Sequence, residues 1–304
     1  MNGKLPLLAT AALTALALGA CGSESAGGGG EPSIVATTTQ AADLARQVAG
    51  ERAEVVSLLK PNSDPHGYEP RAGDVKALAG ADLVVRSGGE VDEWLEEARR
   101  GAGTDAPVIT LADAAGPARD DPHWWQDPRA ALGAVAAIRA ALVKTDPGGR
   151  ADYVAGAERH LGELRELDRA VARCVATIPA ARRKLVTTHD ALGSYARRYG
   201  LEVIATVIPS RSTRGQASAG ETAQLVRTIR RERVPALFAE SSVRPDVERA
   251  IARESGARVA PPLWADSLGP KGSSGATYVT SIEANSRTIA AALGGDLARC
   301  PRAR

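Results

Sequence analysis

The chain has 304 residues, and its 38 Lys and Arg against 36 Asp and Glu leave a formal charge of +2. That balance indicates neither a nucleic acid nor an anionic surface as partner. A hydrophobic content of 44% is that of a globular protein, and the length allows two lobes of ordinary domain size.

Residues 1–20 read as a signal peptide. Lys4 gives a positive start, and Leu5 to Ala20 is apolar but too short and too Ala-rich for a permanent span. The tract ends in Leu18-Gly19-Ala20-Cys21, which resembles a bacterial lipobox. The resemblance implies cleavage before Cys21 and lipidation of its thiol. The alternative is an ordinary signal peptide followed by an incidental cysteine. Residues 21–32, rich in Ser, Gly and Glu with four consecutive glycines, form a flexible tether. The mature chain is therefore expected outside the cell, held by a lipid on the outer face of the bacterial cytoplasmic membrane.

Short β-type runs then alternate with helical patterns. Strands are expected at Ser33–Ala36, Glu54–Leu59, Asp82–Val85 and Pro107–Leu111, with helices at Ala41–Ala49, Asp74–Ala79 and Val91–Arg100. Such alternation predicts a parallel α/β architecture. From Ala151 to Ile178 there is no strand signal and no proline, and Val154, Ala157, Leu161, Leu164, Leu167, Val171 and Val175 recur at helical spacing. This is one long amphipathic helix, ended by Pro179. Alternation resumes with strands at Lys184–Thr188, Val203–Ile208, Ala236–Ala239 and Arg258–Ala260, and helices at Thr222–Glu232 and Pro245–Ser255. The expected organisation is an N-terminal α/β lobe at 33–148, a linking helix at 149–179 and a C-terminal α/β lobe at 180–304, each lobe built on four strands.

Asp-Pro-His occurs twice, at Asp64-Pro65-His66 and Asp121-Pro122-His123, in a chain with only four histidines. A third, His189, follows a strand in Thr187-Thr188-His189-Asp190. Ligand-binding side chains collect in loops on a rigid scaffold, and neutral imidazole is the commonest metal ligand. Each histidine alone reads more readily as a surface residue; the joint pattern points to a metal site assembled from distant segments. Asp266, after the last strand, adds a carboxylate, and three imidazoles with one carboxylate make a four-ligand zinc set. His160 lies within the long helix without this context and is left out of the site. Trp124, Trp125 and Trp264 neighbour the candidate ligands, as an apolar collar or as plain core packing. Glu240 reads either as a support for a ligand or as a strand-end charge. Cys174 and Cys300, an even pair in an exported chain, read as a disulfide or as two unrelated thiols.

Taken in order, Asp64-Pro65-His66-Gly67-Tyr68-Glu69-Pro70, Glu93-Trp94-Leu95, His123-Trp124-Trp125-Gln126-Asp127-Pro128, His189-Asp190-Ala191-Leu192-Gly193-Ser194-Tyr195, Phe238-Ala239-Glu240-Ser241 and Asp266-Ser267-Leu268 resemble the zinc- and manganese-binding lipoproteins of bacterial metal ABC importers. The likeness runs from about Ser33 to Leu293. It implies His66, His123, His189 and Asp266 as ligands between two pseudo-symmetric lobes joined by one rigid helix. It further implies a divalent cargo, zinc with manganese as the alternative, and a membrane permease as partner; the receptor is expected to be a monomer and not an enzyme. The His-rich loop of many zinc-type members is absent, since 68–122 contains no histidine. Competing readings are a manganese- or iron-specific receptor of the same family and a zinc hydrolase, because three histidines can hold a catalytic zinc. A hydrolase would need an open fourth position, which Asp266 would close.

Overall fold

A computed structural model describes Met1, Gly3 and residues 31–301. The expected signal peptide, the lipidation site Cys21 and nearly all of the tether lie outside the described residues. Among the described residues no helix is long and apolar enough to cross a membrane.

The first half comprises β1 (Ser33–Ala36), α1 (Thr39–Ala49), β2 (Glu54–Ser57), α2 (Ala72–Ala79), β3 (Leu83–Arg86), α3 (Leu95–Ala102), β4 (Val108–Thr110), α4 (Leu111–Ala114) and α5 (Pro128–Thr145). Its four strands are all parallel, in the order β2-β1-β3-β4. The central strands are unbroken apolar runs, Ile34-Val35-Ala36 and Leu83-Val84-Val85, and all six residues are buried. That is the pattern of strands covered on both faces. Local chemistry sets the helix ends. The Thr38 hydroxyl accepts from the Ala41 amide at the start of α1, and Asp127 caps α5 by accepting from Arg129 N–H, with Pro128 in the first turn. The expected helix at Val91–Arg100 is shorter: a 3-10 turn at Gly89–Asp92 precedes α3.

α6 (Arg150–Val175) follows, 26 residues with no proline, about 39 Å long at 1.5 Å per residue. It packs on α1, on α5 and on the last long helix of the chain. Gly156 sits where a β-carbon would lie 2.4 Å from the Val48 carbonyl oxygen, so the close crossing of α6 over the end of α1 requires glycine there.

The second half contains β5 (Lys184–Thr187), α7 (Gly193–Tyr199), β6 (Glu202–Thr206), α8 (Ala219–Glu232), β7 (Ala236–Leu237), α9 (Asp246–Ser255), β8 (Arg258–Val259) and α10 (Tyr278–Leu293). Instead of one continuous four-stranded sheet it has two parallel ladders, β5–β6 and β7–β8, joined by a bridge between Thr187 and Phe238. The resulting order, β6-β5-β7-β8, repeats the second-first-third-fourth order of the first half. Pro235, directly before β7, has no N–H to give to a ladder, which helps to keep that strand at two residues.

One large apolar core runs through both halves, from Ile34 and Leu44 through α5 and α6 to Phe238 and Leu293. Cys174, near the end of α6, is bonded to Cys300 and ties the C-terminal segment to that core.

Candidate metal centre

Each half supplies two of the four groups, all from segments that follow the carboxyl ends of strands, where open α/β sheets gather ligands. His66 lies in the loop after β2, His123 beyond β4 and α4, His189 two residues after β5 and Asp266 beyond β8. All four are buried, with His123, His189 and Asp266 at 0% exposure. One ligand atom from each falls within 4.8 Å of the others.

The three imidazoles point their Nε2 atoms at one another. His123 Nε2 is 3.3 Å from His66 Nε2 and 3.2 Å from His189 Nε2. Asp266 Oδ2 is 3.4 Å from the Nε2 of both His66 and His189, and Oδ1 is 3.6 Å from His123 Nε2. A tetrahedral ion with ligands at about 2.0–2.1 Å spaces its ligand atoms about 3.3–3.4 Å apart. The observed separations match that figure closely. Both Asp266 oxygens are buried without a hydrogen-bond donor in normal geometry, an arrangement costly for a carboxylate unless a cation serves it.

Carboxylates lie beside two of the outward nitrogens. His189 Nδ1 is hydrogen-bonded to Glu240 Oε1 at 2.6 Å, whereas His123 Nδ1 is 3.3 Å from Asp121 Oδ1 without hydrogen-bond geometry. Such partners fix the ring orientation of metal-binding histidines. Glu240 thus supports a candidate ligand, the first of its two readings. Burial pulls His189 toward neutrality, but the Glu240 and Asp266 carboxylates outweigh it and raise the imidazole to about 9. Burial likewise opposes charge on Asp266, yet the surrounding histidines, His189 foremost, keep its carboxyl below the usual range. Burial, then repulsion from Asp266, pushes Glu240 up.

The backbone of each Asp-Pro-His loop is pinned by its own aspartate: His66 N–H donates to Asp64 Oδ1 at 2.9 Å, and His123 N–H to Asp121 Oδ1 at 3.0 Å. The Asp266 segment is held from the first half, as Trp125 Nε1 and Gln126 Nε2 both donate to the Ala265 carbonyl, at 2.9 and 2.6 Å. Tyr278, at the start of α10, donates its hydroxyl to the Trp125 carbonyl at 2.6 Å. Neither Gln126 nor Tyr278 stood out as a support in the sequence; Gln126 sits in the His123 motif, but Tyr278 carries no local signal.

Trp125 packs edge-on against His123 at 5.4 Å, and Trp124 lies behind it at 6.0 Å. Trp264 does not join them. Its ring lies on the backbone of Gly275, and its Nε1 donates to Ser274 Oγ, so its place is in the 269–275 loop. His160 is buried on α6 with Nδ1 3.0 Å from Glu163 Oε2, outside the converging set.

The family model described as zinc-uptake complex component A, periplasmic (ZnuA), matches residues 34–292. The chain belongs to this family. That places it among the metal solute-binding proteins of bacterial ABC importers. The zinc-binding protein TroA of Treponema pallidum (strain Nichols) is 33% identical over 90% of this chain and 92% of its own length. The manganese-binding lipoprotein MntA of Bacillus subtilis (strain 168) is 31% identical over 94% and 98%. The solved structure of the Treponema pallidum periplasmic zinc-binding protein TroA superposes with a TM-score of 0.82 at 30% identity, covering 87% of this chain and 99% of that one.

Proposed function

We propose that this receptor captures one zinc ion through His66, His123, His189 and Asp266, between a lobe at 33–148 and a lobe at 180–304 set about the linking helix at 149–179, and delivers it to a membrane permease. It works as a monomer without catalytic turnover, anchored by lipid on Cys21 outside the cytoplasmic membrane. The observation that carries the reading is the convergence of three Nε2 atoms and one carboxylate at 3.2–3.6 Å. Asp266 supplies the fourth donor, so the set offers a closed cage for cargo rather than the open position that a catalytic zinc keeps.

Zinc is favoured over manganese on donor chemistry. Imidazole suits zinc, whereas manganese is better served by oxygen donors. The relatives carry either name, so the metal follows from the donors and not from the likeness. Metal analysis of protein purified without chelator, followed by direct competition between zinc and manganese, tests the reading. Zinc should win. His189→Glu, which leaves two nitrogens and two carboxylates, should lower zinc affinity relative to manganese. Wild-type protein that holds manganese as tightly as zinc would make manganese or iron the better assignment.

A further inference from the structure

The two Asp-Pro-His motifs share more than a histidine. In each, one aspartate oxygen is spent on the histidine loop, accepting from the His66 or His123 backbone N–H. The other oxygen reaches across to the opposite half. Asp64 Oδ2 accepts from the Thr213 hydroxyl at 2.6 Å, and Asp121 Oδ2 accepts from the Ser194 hydroxyl at 2.7 Å. Thr213 is in the loop between β6 and α8, and Ser194 is on α7. Two segments far apart in sequence thus make the same pair of bonds: one inward to a candidate ligand's backbone, one outward to a hydroxyl of the other half.

We infer that Asp64 and Asp121 are paired clasps that couple the seating of His66 and His123 to closure of the two halves, so that Thr213 and Ser194 set how fast the ion leaves. This rests on the metal-receptor reading and extends it from holding to release. An ion enclosed by four buried groups can leave only if the halves part. His66 and His123 come from one half, His189 and Asp266 from the other, so parting the halves also divides the ligand set. The clasp bonds lie on that dividing line, and both are short bonds to carboxylates, stronger than neutral ones. Arg197 Nη2 donates to Ser194 Oγ at 2.9 Å and lies 3.4 Å from Asp121 Oδ2, but its side chain is 62% exposed, so solvent screens its pull on the carboxylate. The repetition of Asp-Pro-His then has a physical reason: each copy carries a donor for the ion and a grip on the opposite half.

The clasps can be opened without touching a ligand or either aspartate. Thr213→Val keeps the shape of the side chain and removes its hydroxyl; Ser194→Ala does the same on α7. Zinc-loaded protein is mixed with excess chromogenic chelator and the release rate is followed. A hydrogen bond to a charged group is worth roughly 10- to 100-fold, so each single variant should release zinc at least about tenfold faster, and the double variant faster than either. Thr213→Ser restores the hydroxyl and should restore the wild-type rate, which a loss of packing would not predict. The visible spectrum of the cobalt-loaded variants should match that of wild type, since the donors are unchanged. Equal release rates in wild type and the double variant would overturn the clasp while leaving the receptor reading intact. So would faster release with an altered cobalt spectrum, which would mean a damaged site. A wild type that holds neither zinc nor cobalt would refute the receptor reading, and the clasp with it.

Discussion

At the scale of single residues, the site has a sharp internal control. His66, His123 and His189 converge, while His160 is equally buried but bonded to Glu163 on α6. Alanine at any of the first three should weaken zinc binding by more than the roughly 10–100-fold that losing a supporting partner costs. His160→Ala should leave it near wild type. Isothermal titration of the four variants decides, and equal losses in all four would dissolve the assignment. Protonation gives a second check. His189 is raised to about 9 by Glu240 and Asp266 against the opposing effect of burial, so the metal-free protein holds that proton at neutral pH. An ion must displace it, and zinc affinity should therefore climb as pH rises toward 9. The sign for the metal-free fold is opposite. A raised imidazole contributes stability that is complete below its free value of 6.5 and is lost as pH rises through about 9. Denaturant titrations of metal-free protein at pH 6 and pH 9 should show the higher pH to be the weaker. His66 and His123 were legible in sequence because Asp-Pro-His repeats in a chain poor in histidine, and His189 and Asp266 because each follows a strand. Trp264 was not, because two residues of separation from Asp266 in an irregular segment do not fix where a side chain points.

At the scale of elements, what could be read depended on contrast between faces. The long helix α6 was plain, since its buried positions Tyr153, Ala157, Leu164, Leu167 and Val171 alternate with a charged face. α10 buries Ser281, Glu283, Asn285 and Ser286 among its apolar residues, which blurs the periodic signal, so its outline was not legible. α5 is so rich in alanine that its faces barely differ, and its extent was not legible in the sequence. The strands of the second half were expected at three to six residues, but β7 and β8 have two each. The bond between Cys174 and Cys300 closes a separation of 126 residues at the end of α6. Loop-closure entropy puts its contribution at about 4–5 kcal/mol. Replacing both cysteines with alanine should lower unfolding free energy by up to that amount in urea titrations, while the zinc stoichiometry stays at one. Loss of metal binding in a variant still folded would mean that the bond shapes the site and does more than hold the C-terminal segment.

At the scale of the whole molecule, a shared core and a divided site act in opposite senses. The main apolar cluster passes from the first sheet through α5 and α6 into the second half, so wide separation of the halves would expose it to water. Yet the candidate ligand set is split two and two across the halves. An ion bound there would report on their joint arrangement, and its binding energy would add to the stability of the molecule as one body. With free zinc 100-fold above its dissociation constant the gain is about 2.7 kcal/mol, because the ion binds only the folded chain. At roughly 2 °C per kcal/mol for a chain of this size, the melting temperature should rise by about 5 °C. Calorimetry of the mature protein with and without zinc should show a single transition that moves as a whole. If zinc shifted only part of the unfolding and left a second step where it was, the ion would be held by one half alone. The two-and-two division of the ligands would then fail, even with every histidine variant behaving as expected.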